Sequence, residues 1–129
     1  MIVDTSALMA ILRDEPDAAL YGAALTTATT VAISAATLVE ATMVAEGRTG
    51  QPMEDRLGRL LGQAKAEVVS FTAEHAALAA DGWRRFGKGR HPAGLNLGDC
   101  FAYALARHRN EPLLFKGDDF ARTDVKAAL

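Results

Sequence analysis

Short apolar runs alternate along the chain with longer segments in which apolar residues recur at helical spacing. Four of these runs fit short buried strands: MIVD, TVAIS, EVVSF and PLLFKG. Strands that are apolar along their length indicate a parallel sheet that is covered by helices on both faces. The pattern therefore predicts a three-layer α/β/α fold with a parallel sheet of four strands, to which the tail DDFARTDVKAAL could add a fifth.

The segments between the strands predict six helices: SALMAILRDEP, DAALYGAALTTA, AATLVEATMVAEGR, MEDRLGRLLGQAKA, AEHAALAADGWRRFG and LGDCFAYALARHR. Thr72 and Asn96 are suitable N-caps for the last two of these, and Gly47 is expected to end the third. No repeat, low-complexity tract or linker interrupts this order. Residues 1–129 are therefore predicted to form one domain.

Composition narrows the class of protein and its compartment. The 129 residues carry a formal net charge of −2, which gives no global attraction to nucleic acid or to anionic membranes. The single cysteine, Cys100, excludes an intramolecular disulfide and is typical of a reducing compartment. The start has no basic region of a signal peptide, and the weakly charged run 18–39 is broken by Gly22 and by several Thr and Ser residues. A cytoplasmic protein without a membrane span is expected.

Acidic residues stand where a parallel sheet collects its ligands. Asp4 follows the first predicted strand, and Asp118 and Asp119 follow the fourth. In open parallel sheets, ligands bind outside the carboxyl ends of the strands. Each acid also has a structural explanation, because Asp4 could cap a helix and the other two could belong to an acidic surface turn. Their shared position nevertheless makes them candidates for a functional site.

Glu40 and Asp99 are two further candidates. Glu40 is the only charged residue between Val31 and Ala45, in a helix too apolar to be a solvated face, and a buried acid needs a partner. It could still emerge at the edge of the helix. Asp99 lies three residues after Asn96, in a first helical turn where the helix dipole favours an acid, and from there it could also face a strand end.

Carboxylates that converge at one edge of the sheet would repel one another and raise each other's pKa unless cations neutralised them. Hard divalent ions such as Mg²⁺ and Mn²⁺ suit a site built from carboxylate oxygens alone. A metal of this kind can activate water and stabilise the charge that develops on a phosphate. These residues together suggest hydrolysis of a phosphodiester.

Four segments resemble, in order and over nearly the whole chain, the four conserved segments of the PIN-domain ribonucleases: MIVDTSALMAIL, ISAATLVEA, LNLGDCFAYALA and LLFKGDDFARTDV. The similarity is strongest to toxins of the VapC type, which belong to bacterial type II toxin–antitoxin pairs. The resemblance implies a PIN-like fold and an endoribonuclease that depends on Mg²⁺ or Mn²⁺. It further implies an RNA substrate, a cognate antitoxin that neutralises the enzyme, and a homodimer.

The same resemblance implies which residues form the site. It assigns Asp4, Glu40 and Asp99 as catalytic carboxylates and metal ligands, and it places a fourth acid in the GDD segment, where Asp118 is preferred over Asp119. The small polar position that follows the first acid corresponds to either Thr5 or Ser6. These two hydroxyls are expected to contact the site or its substrate.

One basic stretch could serve an RNA substrate. Four cations and no acid lie between Asp81 and Asp99: Arg84, Arg85, Lys88 and Arg90. Trp83 and Phe86 are interleaved with them and could offer stacking surfaces for bases. The alternative is that the aromatic residues belong to the core and the cations form a solvated helix end. Contact of at least two of these cations with phosphate is expected.

Other functions compete with a nuclease. A phosphatase that uses Asp4 as a nucleophile would need a second Asp two residues later, where Ser6 stands. A phospho-accepting receiver-like signalling module would need adjacent acids after the first strand, and these are missing. A binding module with a vestigial site disagrees with the intact set of acids. Cys100 is predicted to be a small buried hydrophobe, because no motif links it to a histidine.

Overall fold

The computed structural model describes all 129 residues and contains one parallel sheet of four short strands. The strands are β1 (Ile2–Val3), β2 (Ala32–Ser34), β3 (Glu67–Val69) and β4 (Leu113–Leu114), in the order β3-β2-β1-β4. All three strand pairs are parallel, which confirms the predicted sheet. The tail forms no fifth strand. It makes a single 3-10 turn at Phe120–Arg122 and one isolated parallel bridge between Leu113 and Ala127.

Six helices connect and cover the strands, as the apolar spacing predicts. They are α1 (Thr5–Leu12), α2 (Ala18–Thr27), α3 (Ala35–Thr49), α4 (Glu54–Gln63), α5 (Ala73–Phe86) and α6 (Leu97–Arg109). Thr72 and Asn96 cap α5 and α6 as expected. Helix α3 does not end at Gly47, because Gly50 is the residue that takes the left-handed conformation, with φ of 67°, that closes a helix. None of the helices combines the length and apolarity that a membrane crossing requires.

The sheet separates two hydrophobic cores. Neighbouring residues of a strand point to opposite faces, so Ile2 packs with α5 and α6 while Val3 packs with α1 to α4. Leu113 and Leu114 divide between the two cores in the same way. This arrangement gives the three layers of the predicted fold and explains why β1 and β4 are apolar along their whole length. Strand β3 is not the buried strand that the sequence predicts, because it lies at the edge of the sheet with Glu67 and Val68 exposed.

The order of the strands fixes where a ligand site can form. The chain moves outwards from β1 through β2 to β3 and then crosses to the other side of β1 with β4. The connections that leave the carboxyl ends of β1 and β4 therefore diverge and open a crevice. Asp4 directly follows β1, and Lys116 lies two residues after β4.

The closest approach between α5 and α6 depends on a glycine. A Cβ atom at Gly82 would lie 2.5 Å from Cδ1 of Tyr103, which is buried between the two helices. The Tyr103 hydroxyl donates a hydrogen bond of 2.9 Å to Asp124 Oδ1, and Arg85 holds the second oxygen of Asp124 at 2.9 Å. Gly82 therefore also positions the ring that anchors the tail of the chain.

The Gly82→Ala variant is expected to lower the free energy of unfolding by about 1–3 kcal/mol, because the added methyl group overpacks the contact with Tyr103. Urea denaturation measures this change. Gly58→Ala in α4 is the matched control, since a Cβ there meets no atom within 4 Å, and it should stabilise the helix by up to about 1 kcal/mol. Equal stabilisation by both substitutions would contradict the packing argument.

Candidate active site

A polar cavity of about 440 Å³ lies in the crevice outside β1 and β4. Nine of its eleven lining residues are polar or charged: Thr5, Ser6, Glu15, Glu40, Arg48, Asn96, Asp99, Lys116 and Asp119. The cavity therefore brings together acids that lie far apart in the chain, from Glu15 to Asp119.

Asp4 has one satisfied and one free carboxylate oxygen. Its Oδ2 caps α1 by accepting hydrogen bonds from the Ser6 amide at 2.9 Å and from the Ser6 hydroxyl at 2.6 Å. Its Oδ1 is buried and has no hydrogen-bond partner. Burial, with a smaller contribution from the charge of Glu40, raises the pKa of Asp4 to about 6. The hydrogen bonds from Ser6 oppose this rise. The cap and a ligand role are therefore compatible in one side chain.

The two hydroxyls that follow Asp4 do different things. The Ser6 hydroxyl donates to Asp4 and accepts a hydrogen bond of 3.0 Å from the Lys116 amide, so it links the ends of β1 and β4. Thr5 is buried, and its hydroxyl makes no hydrogen bond of normal geometry but lies close enough to Glu40 to lower the pKa of that carboxyl. Both residues line the cavity.

Glu40 reaches the cavity from the middle of α3. The residue is half-buried, and its Oε2 is buried without a hydrogen-bond partner. Burial raises the pKa of Glu40, the Thr5 hydroxyl opposes that rise, and the charge of Asp99 adds to it. This burial excludes the alternative that Glu40 is a solvated residue at the edge of the helix.

Asp99 is fixed by the start of α6. Its Oδ2 accepts a hydrogen bond of 2.9 Å from the Asn96 amide, and its own amide donates one of 2.9 Å to Asn96 Oδ1, which completes a capping box. Burial, with smaller contributions from the charges of Asp4 and Asp119, raises the pKa of Asp99 to about 6, and the hydrogen bond from the Asn96 amide opposes this rise. The negative charge of one acid at this site thus raises the pKa of another.

Of the two acids in the GDD segment, Asp119 lies at the cavity, whereas the sequence predicts Asp118. Asp119 lines the cavity and raises the pKa of Asp99, and Asp118 does neither. The physical reason is the turn after β4, in which Gly117 has φ of 99° and Asp119 leads directly into the 3-10 turn. A backbone conformation of this kind decides which of two adjacent acids faces inwards.

Two cations of the cavity are absent from the sequence-based prediction. Lys116 contacts Glu15 at 2.6 Å and Asp17 at 2.7 Å, and these two acids raise its pKa. Arg48 lies on α3 two turns after Glu40. Both residues could have been identified from the sequence. Arg48 is eight residues from Glu40 on the same helix, so the two share a face, and Lys116 follows a strand end.

The cations of the basic stretch lie away from the cavity. Arg85 pairs with Asp124 and donates to Tyr103 at 3.4 Å, so it has a structural role. Arg84 and Lys88 are exposed and have no ion pair, and the Arg90 guanidinium lies 4.2 Å from the centre of the Trp83 ring. The sequence therefore grouped four residues whose environments differ.

The Cys100 thiol has no catalytic environment. The side chain is buried. Burial, with a smaller contribution from the charge of Asp99, raises the pKa of the thiol to about 11. A thiolate nucleophile needs the opposite shift. Cys100 is thus the small buried hydrophobe that the sequence predicts.

The donor set of the cavity fits a hard divalent cation. The acids offer only oxygen ligands, and two of those oxygens, Asp4 Oδ1 and Glu40 Oε2, are buried without partners. No three acidic, histidine or cysteine side chains lie together in an arrangement that could by itself hold a metal ion. An open arrangement of this type agrees with Mg²⁺, which usually keeps several waters and takes only one or two protein carboxylates.

Comparisons with known proteins place this site in a family. The model of the PIN domain matches residues 1–126. A Ribonuclease VapC of Mycolicibacterium smegmatis is 48% identical over 127 residues, which cover 98% of each chain. Ribonuclease VapC30 of Mycobacterium tuberculosis is 46% identical over 125 residues, which cover 97% of this chain and 95% of the relative.

Solved structures show the same fold. The crystal structure of Mycobacterium tuberculosis VapC20, a toxin that cleaves the sarcin–ricin loop, has a TM-score of 0.77 at 16% identity and covers 96% of this chain and 95% of that one. A toxin–antitoxin complex from Klebsiella pneumoniae has a TM-score of 0.69 at 19% identity and covers 99% of this chain and 97% of that one. The likeness in structure and the identity to the mycobacterial relatives agree: the chain belongs to the PIN-domain family, among the ribonucleases of the VapC type.

Proposed function

We propose that the chain is an endoribonuclease that depends on a divalent metal, hydrolyses RNA phosphodiester bonds and acts as the toxin of a toxin–antitoxin pair. The observation that carries this proposal is the pair of buried, unpartnered oxygens on Asp4 and Glu40, beside a cavity that Glu40 and Asp99 line. Membership in a family of ribonucleases supports RNA as the substrate. The match over residues 1–126 also supports one domain over the whole chain.

The ligands in this proposal are Asp4, Glu40 and Asp99, with Asp119 as the fourth acid and Mg²⁺ or Mn²⁺ as the metal. When bound, the metal would supply a polarised water and positive charge beside the phosphate. Asp4 is held for this role by Ser6, and Asp99 by the capping box with Asn96. Both acids therefore keep one oxygen fixed by the protein; Asp99 lines the cavity, and Asp4 is buried directly before Thr5 and Ser6, which line it.

The two cations of the cavity fit a role in binding RNA. Arg48 would contact phosphate oxygens of the substrate, since cationic side chains stabilise the negative backbone of a nucleic acid. Lys116 is a weaker candidate, because Glu15 and Asp17 already neutralise its charge. Thr5 offers an unpartnered hydroxyl for a contact with the substrate or with metal-bound water.

The exposed cations outside the cavity extend this surface. Arg84, Lys88 and Arg90 would contact a longer RNA strand, and the exposed ring of Trp83 offers a stacking surface beside Arg90. Arg85 is a weaker member of the set because Asp124 already neutralises its charge. These contacts would bind RNA through its backbone without selecting a sequence.

The proposed partners are a cognate antitoxin and a second copy of the chain. A structural neighbour is a toxin–antitoxin complex, which supports an antitoxin partner. Helices α3 and α6 expose three large apolar side chains close to the cavity, namely Val39, Met43 and Leu97, which are 60%, 69% and 73% exposed. Surface of this kind supports a homodimer interface. The lone, buried cysteine supports a cytoplasmic location.

The competing functions have less support. A phosphatase with Asp4 as nucleophile would need an exposed oxygen and a second acid at position 6, and Ser6 instead holds Asp4 in place. A receiver-like module would need further acids after β1. The match of the whole chain to a ribonuclease family favours neither.

The purified chain is expected to cleave RNA when Mg²⁺ or Mn²⁺ is present and to lose that activity in excess EDTA. Cleavage of an end-labelled RNA, followed by gel electrophoresis, measures both conditions. Activity should return when the metal is restored in excess over the chelator. Undiminished cleavage in EDTA would rule out the metal-dependent mechanism.

A further inference from the structure

Gly98 lies directly beneath the carboxylate of Glu40. A Cβ atom built on Gly98 would lie 1.5 Å from Glu40 Oε2, 2.2 Å from Cδ and 2.8 Å from Oε1. All three distances are shorter than any that a real Cβ can adopt. The carboxylate of a residue on α3 therefore occupies the space that the side chain of residue 98 on α6 would fill.

The conformation of the backbone does not explain a glycine at this position. Gly98 is in the first turn of α6 and does not have a positive φ, so any residue could adopt its backbone conformation. A glycine inside a helix weakens the helix relative to alanine. Local structure thus favours alanine at position 98, and only the contact with Glu40 opposes it.

We propose that Gly98 is a positioning residue. Because it has no side chain, it leaves a space (the seat) that the Glu40 carboxylate occupies at the cavity. The seat keeps Oε2 buried beside the start of α6, in the helix turn that also carries Asp99. With a side chain at position 98, the Glu40 carboxylate has to swing away or α3 has to move off α6. Either change separates Glu40 from Asp99. The inference rests on the proposed metal site, since it names what holds one of its ligands.

The steric part of this proposal can be tested without metal. Gly98→Ala is expected to lower the melting temperature of the metal-free protein, because the methyl group collides with Glu40. In a Glu40→Ala background the seat is empty, and the same substitution should raise the melting temperature through better helix propensity. Gly58→Ala, which meets no atom within 4 Å, should raise it in both backgrounds. An effect of Gly98→Ala with the same sign in both backgrounds would overturn the proposal.

The positioning part is tested by binding of Mn²⁺, measured by isothermal titration calorimetry. Gly98→Ala is expected to weaken the affinity about 10- to 100-fold, as the loss of an orienting contact does at other metal sites. Glu40→Asp shortens the acid by one methylene and should recover part of the affinity when it is added to Gly98→Ala. Equal Mn²⁺ affinity in the wild type and Gly98→Ala would refute the positioning role. Absence of Mn²⁺ binding by the wild type itself would instead refute the proposed metal site, while the melting temperatures still decide whether the seat exists.

Discussion

Asp99→Asn is expected to reduce RNA cleavage at least about a thousandfold while the fold stays intact. A metal contributes several kcal/mol to a phosphoryl transition state, and each 1.36 kcal/mol corresponds to a factor of ten in rate. The asparagine can still accept the hydrogen bond from the Asn96 amide through its carbonyl oxygen, so the cap of α6 survives. Initial rates of cleavage on a labelled RNA measure the loss, and circular dichroism checks the fold.

The neighbouring acids supply the control for this prediction. Asp118 carries the same charge as Asp99, stands directly before Asp119 in the chain and does not line the cavity. Asp118→Asn should therefore keep most of the activity, whereas Asp119→Asn should lose part of it. Full activity of Asp99→Asn would show that this carboxylate takes no part in cleavage.

The sequence predicts the fold well because burial alone determines its pattern. Strands such as β1 and β4 are apolar on both faces, since each face meets its own core, and that property can be read without coordinates. The exceptions are at the ends of elements. Helix α3 passes Gly47, which keeps a helical conformation, and ends at Gly50, which takes the left-handed one.

The site is predictable only as far as topology determines it. The rule for strand ends brings Asp4 and the residues after β4 together, and the lone charge of Glu40 in an apolar helix predicts an inward carboxylate. Such a rule cannot predict which of two adjacent side chains in a turn faces inwards. The backbone after β4 turns Asp119, rather than Asp118, towards the cavity. Gly98 is missed for a related reason, since its role depends on a contact between two helices.

The acids of the cavity carry an energetic cost in the metal-free protein. The pKa of Asp4 rises from 3.8 to about 6 and that of Asp99 rises by a similar amount, chiefly because burial penalises their charged forms. The folded state therefore binds protons more tightly than the unfolded state does. The contribution of these two acids to stability is highest below about pH 4, falls as the pH rises through 6, and remains lower above it. A bound cation would offset the loss, because it neutralises the charges that burial penalises.

Asp4→Asn is accordingly expected to abolish cleavage and yet to stabilise the metal-free protein by about 2–3 kcal/mol at pH 8, since a shift of one pKa unit corresponds to 1.36 kcal/mol. The gain should shrink between pH 6 and pH 4, where the carboxyl of the wild type is itself protonated. Saturating Mg²⁺ should raise the melting temperature of the wild type but not of the variant. Calorimetric melting of both proteins from pH 4 to pH 8, with and without Mg²⁺, measures all three effects. A variant that is less stable than the wild type at pH 8 without metal would mean that the hydrogen bonds from Ser6 to the charged carboxylate outweigh the cost of burying it.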